Sequence, residues 1–140
     1  MTSLESIVLP LSESRALAEK VKLDTALVWV YVKDANGRIV LTVMSRRDAD
    51  AACLGADCDG QKVICGAPTL SELLDAIRKA TGDKDTEFAF GKYRVDEGEI
   101  QCGVSADWTD PKNWEADGHA QEFGSTDLLA AYALLLEVAK

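Results

Sequence analysis

Ala26–Val32 (ALVWVYV) and Arg38–Met44 (RIVLTVM), joined by Lys33-Asp34-Ala35-Asn36-Gly37, decide the fold class. Both runs are β-branched and aromatic, side chains that suit a pleated, half-buried surface. Asn36-Gly37 supplies backbone tolerant of positive φ, as a tight hairpin turn requires. The stretch predicts an antiparallel hairpin. Because both runs are nearly continuous in apolar residues, both faces of both strands are expected to be covered.

Working outward, Pro10 and Ser12 predict the start of a short helix over Glu13–Val21, with Ser12 as its cap and Leu17 and Val21 on one face. Ser45–Gln61 has no period and reads as an irregular excursion with a helical turn near Asp48–Cys53; Lys62–Cys65 reads as a short strand. Thr69 and Glu72 have the spacing of a capping box, and Leu70, Leu73, Leu74 and Ile77 mark the buried face of the helix that follows. Gly82 is placed to end that helix in a left-handed turn. Glu87–Val95 and Glu99–Ser105 form a second hairpin around Asp96-Glu97-Gly98; Ala106–Gly118 is a loop or short helical turn, and His119–Phe123 one more strand. Ser125-Thr126-Asp127 caps a last helix over Leu128–Ala139, with Leu128, Tyr132, Leu135 and Leu136 as its stripe. Strands therefore come in antiparallel pairs and do not alternate one-for-one with helices. The fold class is α+β: an antiparallel sheet built from two hairpins plus short strands, with about three helices, in one domain spanning 1–140.

Charge bounds the function. The chain carries a formal −9, of which −8 falls in residues 81–140. Nucleic-acid phosphates are bound by clustered Lys and Arg, so direct binding to nucleic acid or an anionic membrane is disfavoured; a basic protein partner suits the acidic half. The apolar runs Ala26–Val32 and Leu128–Leu136 are far shorter than the roughly 20 residues of a bilayer span. The opening MTSLESIVLPLSES has no basic region followed by an apolar run, so a cytoplasmic setting is expected.

Cys53, Cys58, Cys65 and Cys102 are the candidate metal ligands. Thiolate zinc sites use short paired spacings; here the first three cysteines are spaced C-x4-C and C-x6-C, leaving Cys102 or His119 as the fourth ligand. Four thiolates suit zinc or an iron–sulfur cluster, although neither family's spacing appears; reduced, packed cysteines are the favoured reading, and a disulfide is the further alternative. Asp57-Cys58-Asp59-Gly60 is not a calcium loop, because Gly55 and Gly66 fall where its first and twelfth ligands belong. His119, the single histidine, could serve as base to a cysteine with Asp117 as orienter, but nothing in the local sequence supports that set and an exposed loop histidine is the favoured reading. No phosphate-binding glycine motif occurs. Trp108 and Trp114, among Asp110, Glu115 and Asp117, form a candidate partner-binding loop, since Trp concentrates at binding hot spots. No residue is assigned a catalytic role.

The layout of Leu9-Pro10-Leu11, the Trp29-bearing strand, Ala67-Pro68-Thr69-Leu70-Ser71-Glu72-Leu73-Leu74 and the Ala/Leu-rich terminal helix resembles small uncharacterised proteins of phages and prophage regions. That resemblance implies an accessory protein of a mobile element and carries no catalytic residues to transfer. The expected function is a non-enzymatic interaction protein binding a partner through its acidic half. A small metal-binding domain and a cysteine-dependent enzyme are the alternatives. A long apolar strand left at a sheet edge would favour a homo-oligomer.

Overall fold

The first hairpin forms as its sequence predicts, in a computed structural model that describes residues 4–52, 60–95, 98–109 and 118–139. Strand β1 (Leu27–Lys33) pairs antiparallel with β2 (Ile39–Ser45) in unbroken register from Leu27↔Ser45 to Lys33↔Ile39. Asp34 builds the turn: its carboxylate accepts the amides of Asn36 (2.8 Å) and Arg38 (3.0 Å), and Gly37 takes φ 77°. That backbone would strain any residue with a Cβ.

The chain forms two compact units, Met1–Thr69 and Leu70–Lys140. In the first, β3 (Lys62–Gly66) adds to the hairpin in the order β2-β1-β3, so β1 is central and β2 an edge. Val28 and Val30 pack with Ala49 of a short helix, α2 (Arg46–Ala51), on one face; Trp29 and Val43 pack with Val8 and Ala67 on the other. The excursion thus holds a full helical turn capped by Ser45, whose hydroxyl accepts the Asp48 amide. Coverage of both faces reaches Val43 and Met44 of β2, which join the two clusters, but Ile39, Val40 and Leu41 beside the turn are exposed because neither cluster extends to them. Residues 53–59 lie outside the described residues, Cys53 and Cys58 among them.

Helix α1 (Leu11–Lys20) begins two residues before the expected start. Pro10 stands at its N-cap without a side-chain cap, and Ser12 lies inside the first turn with its hydroxyl on the Glu13 carboxylate. What fixes the entry is buried. The Leu9 carbonyl accepts both the Trp29 indole N–H (3.1 Å) and the Ser14 hydroxyl (2.9 Å), while the Leu9 amide donates to Pro68 O at 2.9 Å. A bulge between Trp29↔Cys65 and Val30↔Val63 makes Ile64 supernumerary, and both Ile64 and Cys65 pack against the Trp29 cluster.

The second unit opens with α3 (Leu70–Thr81), directly after Thr69, burying Leu73, Ala76 and Ile77. Gly82 ends it at φ 79°, its amide on Arg78 O. A second sheet follows in the order β4 (Glu87–Val95), β5 (Glu99–Trp108), β6 (Gly118–Gly124), all antiparallel. Strand β5 runs three residues beyond its expected end, so Trp108 belongs to a strand. Helix α4 (Asp127–Val138), capped by Thr126 on the Leu129 amide, packs on β5 and β6 and against α3. Its buried stripe is Ala130, Ala131, Leu134 and Leu135, whereas Leu128, Tyr132 and Leu136 lie half-buried at the sides. Gly124 explains the rotation: a Cβ there would stand 2.7 Å from the Ala130 amide nitrogen, so helix backbone lies directly on the strand and only small side chains fit beneath it. Among the described residues no helix is long and apolar enough to cross a membrane.

Trp29→Phe keeps most of the apolar body and loses one buried hydrogen bond. Because Ser14 still satisfies the Leu9 carbonyl, a stability loss of about 1 kcal/mol is expected. Trp29→Ala should cost about 3–5 kcal/mol. Urea titration of both variants measures the difference.

Candidate functional site

The two faces of the β4–β5–β6 sheet differ because successive side chains alternate. Val104 and Ala106, facing the helices, are fully buried. The other face carries a row of Glu87, Asp107 and His119 on adjacent strands, then Ala89, Ser105 and Gln121, then Gly91, Gly103 and Phe123, then Tyr93 and Gln101. Same-face rows on a strand are about 7 Å apart.

Two glycines make this face unusual. A Cβ on Gly103 would stand 2.6 Å from the Tyr93 ring and 3.1 Å from the Phe123 ring; one on Gly91 would meet Tyr93 at 3.0 Å. Tyr93 therefore leans back across the strands and lies on backbone, meeting Phe123 edge-to-face with centroids 5.6 Å apart. The outer surfaces of the pair stay open, with Tyr93 40% and Phe123 38% exposed. The exposed acids of this face flank the rings along the strands, Glu99 one row beyond Tyr93 and Glu87 and Asp107 two rows to the other side of Gly103. Among the described residues this face holds no Lys or Arg side chain; Lys92 and Arg94 project from the opposite face of β4.

His119 is on strand β6, not in a loop, and its partner is Asp107, with Nδ1 2.6 Å from Oδ1. The two side chains are 59% and 60% exposed. Asp117, the expected orienter, lies outside the described residues. A carboxylate on Nδ1 leaves Nε2 directed away from that bond, the tautomeric arrangement of a base. Among the described residues no nucleophile joins it: Ser105 makes no hydrogen bond to the ring, and Cys102 is on the helix-facing side of β5, five residues from Asp107. A Cys102–His119 pair is excluded by this alternation.

The other described sequence candidates lie on separate elements. Cys65 sits on β3 in the first unit, where burial pushes its thiol up in pKa against a smaller opposing pull from the Arg15 charge. It stays protonated near neutral pH and is a poor nucleophile. Cys102 sits on β5 with Sγ 3.8 Å from Ser125 O. Among the described residues no three His, Cys, Asp or Glu side chains gather as metal ligands. Trp108 is half-buried, its indole lying over Gly118, where a Cβ would meet it. Asp110, Trp114 and Glu115 fall, like Asp117, among residues 110–117, outside the described residues.

Asp83 clips the far end of the sheet to the turn after α3. Its carboxylate accepts the amides of Thr109 (3.1 Å) and Asp85 (2.9 Å), and these bonds, Thr109's first, hold its carboxyl below the usual range. Behind it, the Thr86 hydroxyl donates to Asp83 O (2.6 Å) and lies 2.9 Å from that of Thr81.

Comparison with known proteins finds no matching family model, no matching curated protein and no matching solved structure. The molecule is thus defined by its own geometry: an α+β protein with two three-stranded antiparallel sheets, one presenting an acidic face with an aromatic pair.

Two variants test this description. A depressed carboxyl pKa contributes stability above the unfolded value of about 4 and loses it as pH falls through the folded value. Asp83→Asn should therefore melt below the wild type at pH 7, the gap closing as circular-dichroism melts are taken below about pH 4. Gly103→Ala should lift the Tyr93 ring from the sheet at a cost of about 1 kcal/mol, low in the range for overpacking because the ring can swing outward. The Tyr93 and Phe123 ring-proton shifts in NMR spectra should move together.

Proposed function

We propose that this chain is a non-enzymatic interaction protein of the phage or prophage accessory type, acting in the cytoplasm. In this reading it binds a protein partner through the open face of the β4–β5–β6 sheet, and the partner presents basic side chains. The observation that carries the reading is the Tyr93–Phe123 pair laid on Gly91 and Gly103 between exposed carboxylates, with no Lys or Arg on that face among the described residues. An aromatic face attracts a guanidinium or ammonium group by about 0.5–2 kcal/mol. Neighbouring carboxylates add charge-assisted hydrogen bonds. Binding masks the partner's basic surface and requires no bond chemistry. The accessory role is supported by the order of elements and the Ala67–Leu74 stretch alone.

The test is titration of an arginine-rich peptide, and of an acidic peptide of equal length, by fluorescence anisotropy at 0.15 M salt. The basic peptide should bind and the acidic one should not. Glu87→Lys with Glu99→Lys should weaken binding at least tenfold, and Tyr93→Ala by about 3- to 30-fold. Equal affinity for both peptides, or no loss in the charge-reversed variant, rejects the reading.

A further inference from the structure

Four strands lie at sheet edges, β2 and β3 in the first sheet and β4 and β6 in the second. An edge strand pairs with a further strand unless charge or cover prevents it. Lys62 stands in β3, Lys92 and Arg94 in β4, and His119 and Glu122 in β6, whereas β2 (IVLTVMS) carries no charged side chain. Its half beside the turn is bare on both faces, with Ile39 45%, Val40 36% and Leu41 39% exposed. Bonds from Asp34 N–H to Arg38 O and from Arg46 N–H to Ala26 O flank the β1–β2 ladder. Antiparallel ladder bonds recur at every second residue. Val40, Thr42 and Met44 therefore bond β1, while Ile39 and Leu41 turn N–H and C=O outward. Among the described residues no backbone bond reaches those outward groups. Past Leu41 the strand has a neighbour: the turn Leu4–Ser6 lies beside it, and the Thr42 hydroxyl donates to the Glu5 carboxylate at 3.1 Å.

We infer that β2 of one copy pairs antiparallel with β2 of a second copy, across a two-fold axis at Val40. Ile39 then faces Leu41 of the other copy, and the reverse, each pair exchanging both backbone bonds. The two three-stranded sheets join edge to edge. Charge complementarity selects a second copy as the occupant. In this register Arg38 falls directly across from Thr42 of the other copy, on the same face. Its exposed guanidinium meets the Glu5 carboxylate already held at that hydroxyl, and the axis makes the ion pair twice. The apolar side chains match as well: Val40 meets Val40 on one face and Ile39 meets Leu41 on the other. Of the nine exposed large apolar side chains among the described residues, five (Leu4, Ile7, Ile39, Val40 and Leu41) lie in β2 or at the ends of the adjoining turn. Such a concentration marks an interaction surface. Repulsion at this edge is weak, since residues 1–69 hold nine acids and eight bases although the whole chain carries −9. At 0.15 M ionic strength a screening length of about 8 Å confines the rest. The contact is isologous, so it closes at two copies. It is separate from the β4–β5–β6 face and does not depend on the partner proposed there.

Sedimentation velocity of the full chain over roughly 10–500 μM, the range of weak association, at about 0.15 M salt tests the contact. The wild type should pass from monomer to dimer as concentration rises and stop there. Arg38→Glu sets two acids together at both ends of the contact, and Glu5→Lys sets two bases together. Each variant alone should self-associate about tenfold more weakly, or less. Mixed one to one, they should recover a heterodimer, because each cross-pair then joins an acid to a base. Val40→Lys places two ammonium groups at the axis and should leave only monomer. Hydrogen exchange of the wild type adds a readout of strand pairing: the Ile39 and Leu41 amides should slow as concentration rises. Circular dichroism verifies that each variant is folded. A wild type monomeric throughout, a dimer that both charge variants leave intact, or a mixture that does not associate overturns the inference.

Discussion

A β-strand must send alternate side chains to opposite faces, and everything distinctive about the second unit follows from covering only one of them. Helix α4 lies against β5 and β6 over Val104 and Ala106, brought close by Gly124. The opposite face is then obliged to be presentable without a helix. Gly91 and Gly103 solve part of this by removing two Cβ atoms, so that Tyr93 folds down onto backbone and shields it. The rest is left to carboxylates, an imidazole and amides. An exposed face of this composition keeps the sheet hydrated. The same alternation keeps Cys102 apart from His119.

The first unit depends on a different constraint, the scarcity of partners for buried polar groups. The Leu9 carbonyl has two lone pairs and receives two donors, from Trp29 on the central strand and from Ser14 in α1. A strand, a helix and the segment leading into that helix are therefore referenced to one oxygen. Thr25 plays a smaller version of the same part. Its hydroxyl donates to Leu27 O, its carbonyl accepts the Arg46 guanidinium, and its side chain fills the space beside Gly66 where a Cβ would collide.

Much of the fold was legible because it is local. Asn36-Gly37 between two β-branched runs, Gly82 after a periodic helix and Thr126 before another act within a few residues of themselves, and the structure has the elements they predict. The candidate site was not legible, for the opposite reason. Asp107 and His119 are 12 residues apart, and only the register of β5 with β6 makes them neighbours. Gly91 and Gly103 look like weak strand residues until the pairing sets them side by side beneath a tyrosine. The one available signal was alternation, which places Tyr93 in step with Gly91 and out of step with Lys92. Exposure at Ile39–Leu41 escaped the sequence because an apolar run has the same appearance where packed layers cover it and where it continues past them.

The bulge in β3 has a bearing on how this chain tolerates change in length. The ladder is in step on both sides of Ile64, with Cys65 opposite Trp29 and Val63 opposite Val30. The strand therefore holds one residue more than its pairing needs. That surplus lets two consecutive side chains crowd the same side of the sheet, giving the tryptophan more apolar company than strict alternation permits. Loss of Ile64 would leave the hydrogen-bonded alignment intact and thin the packing only, so β3 has a built-in allowance for a deletion that would turn an ordinary strand inside out.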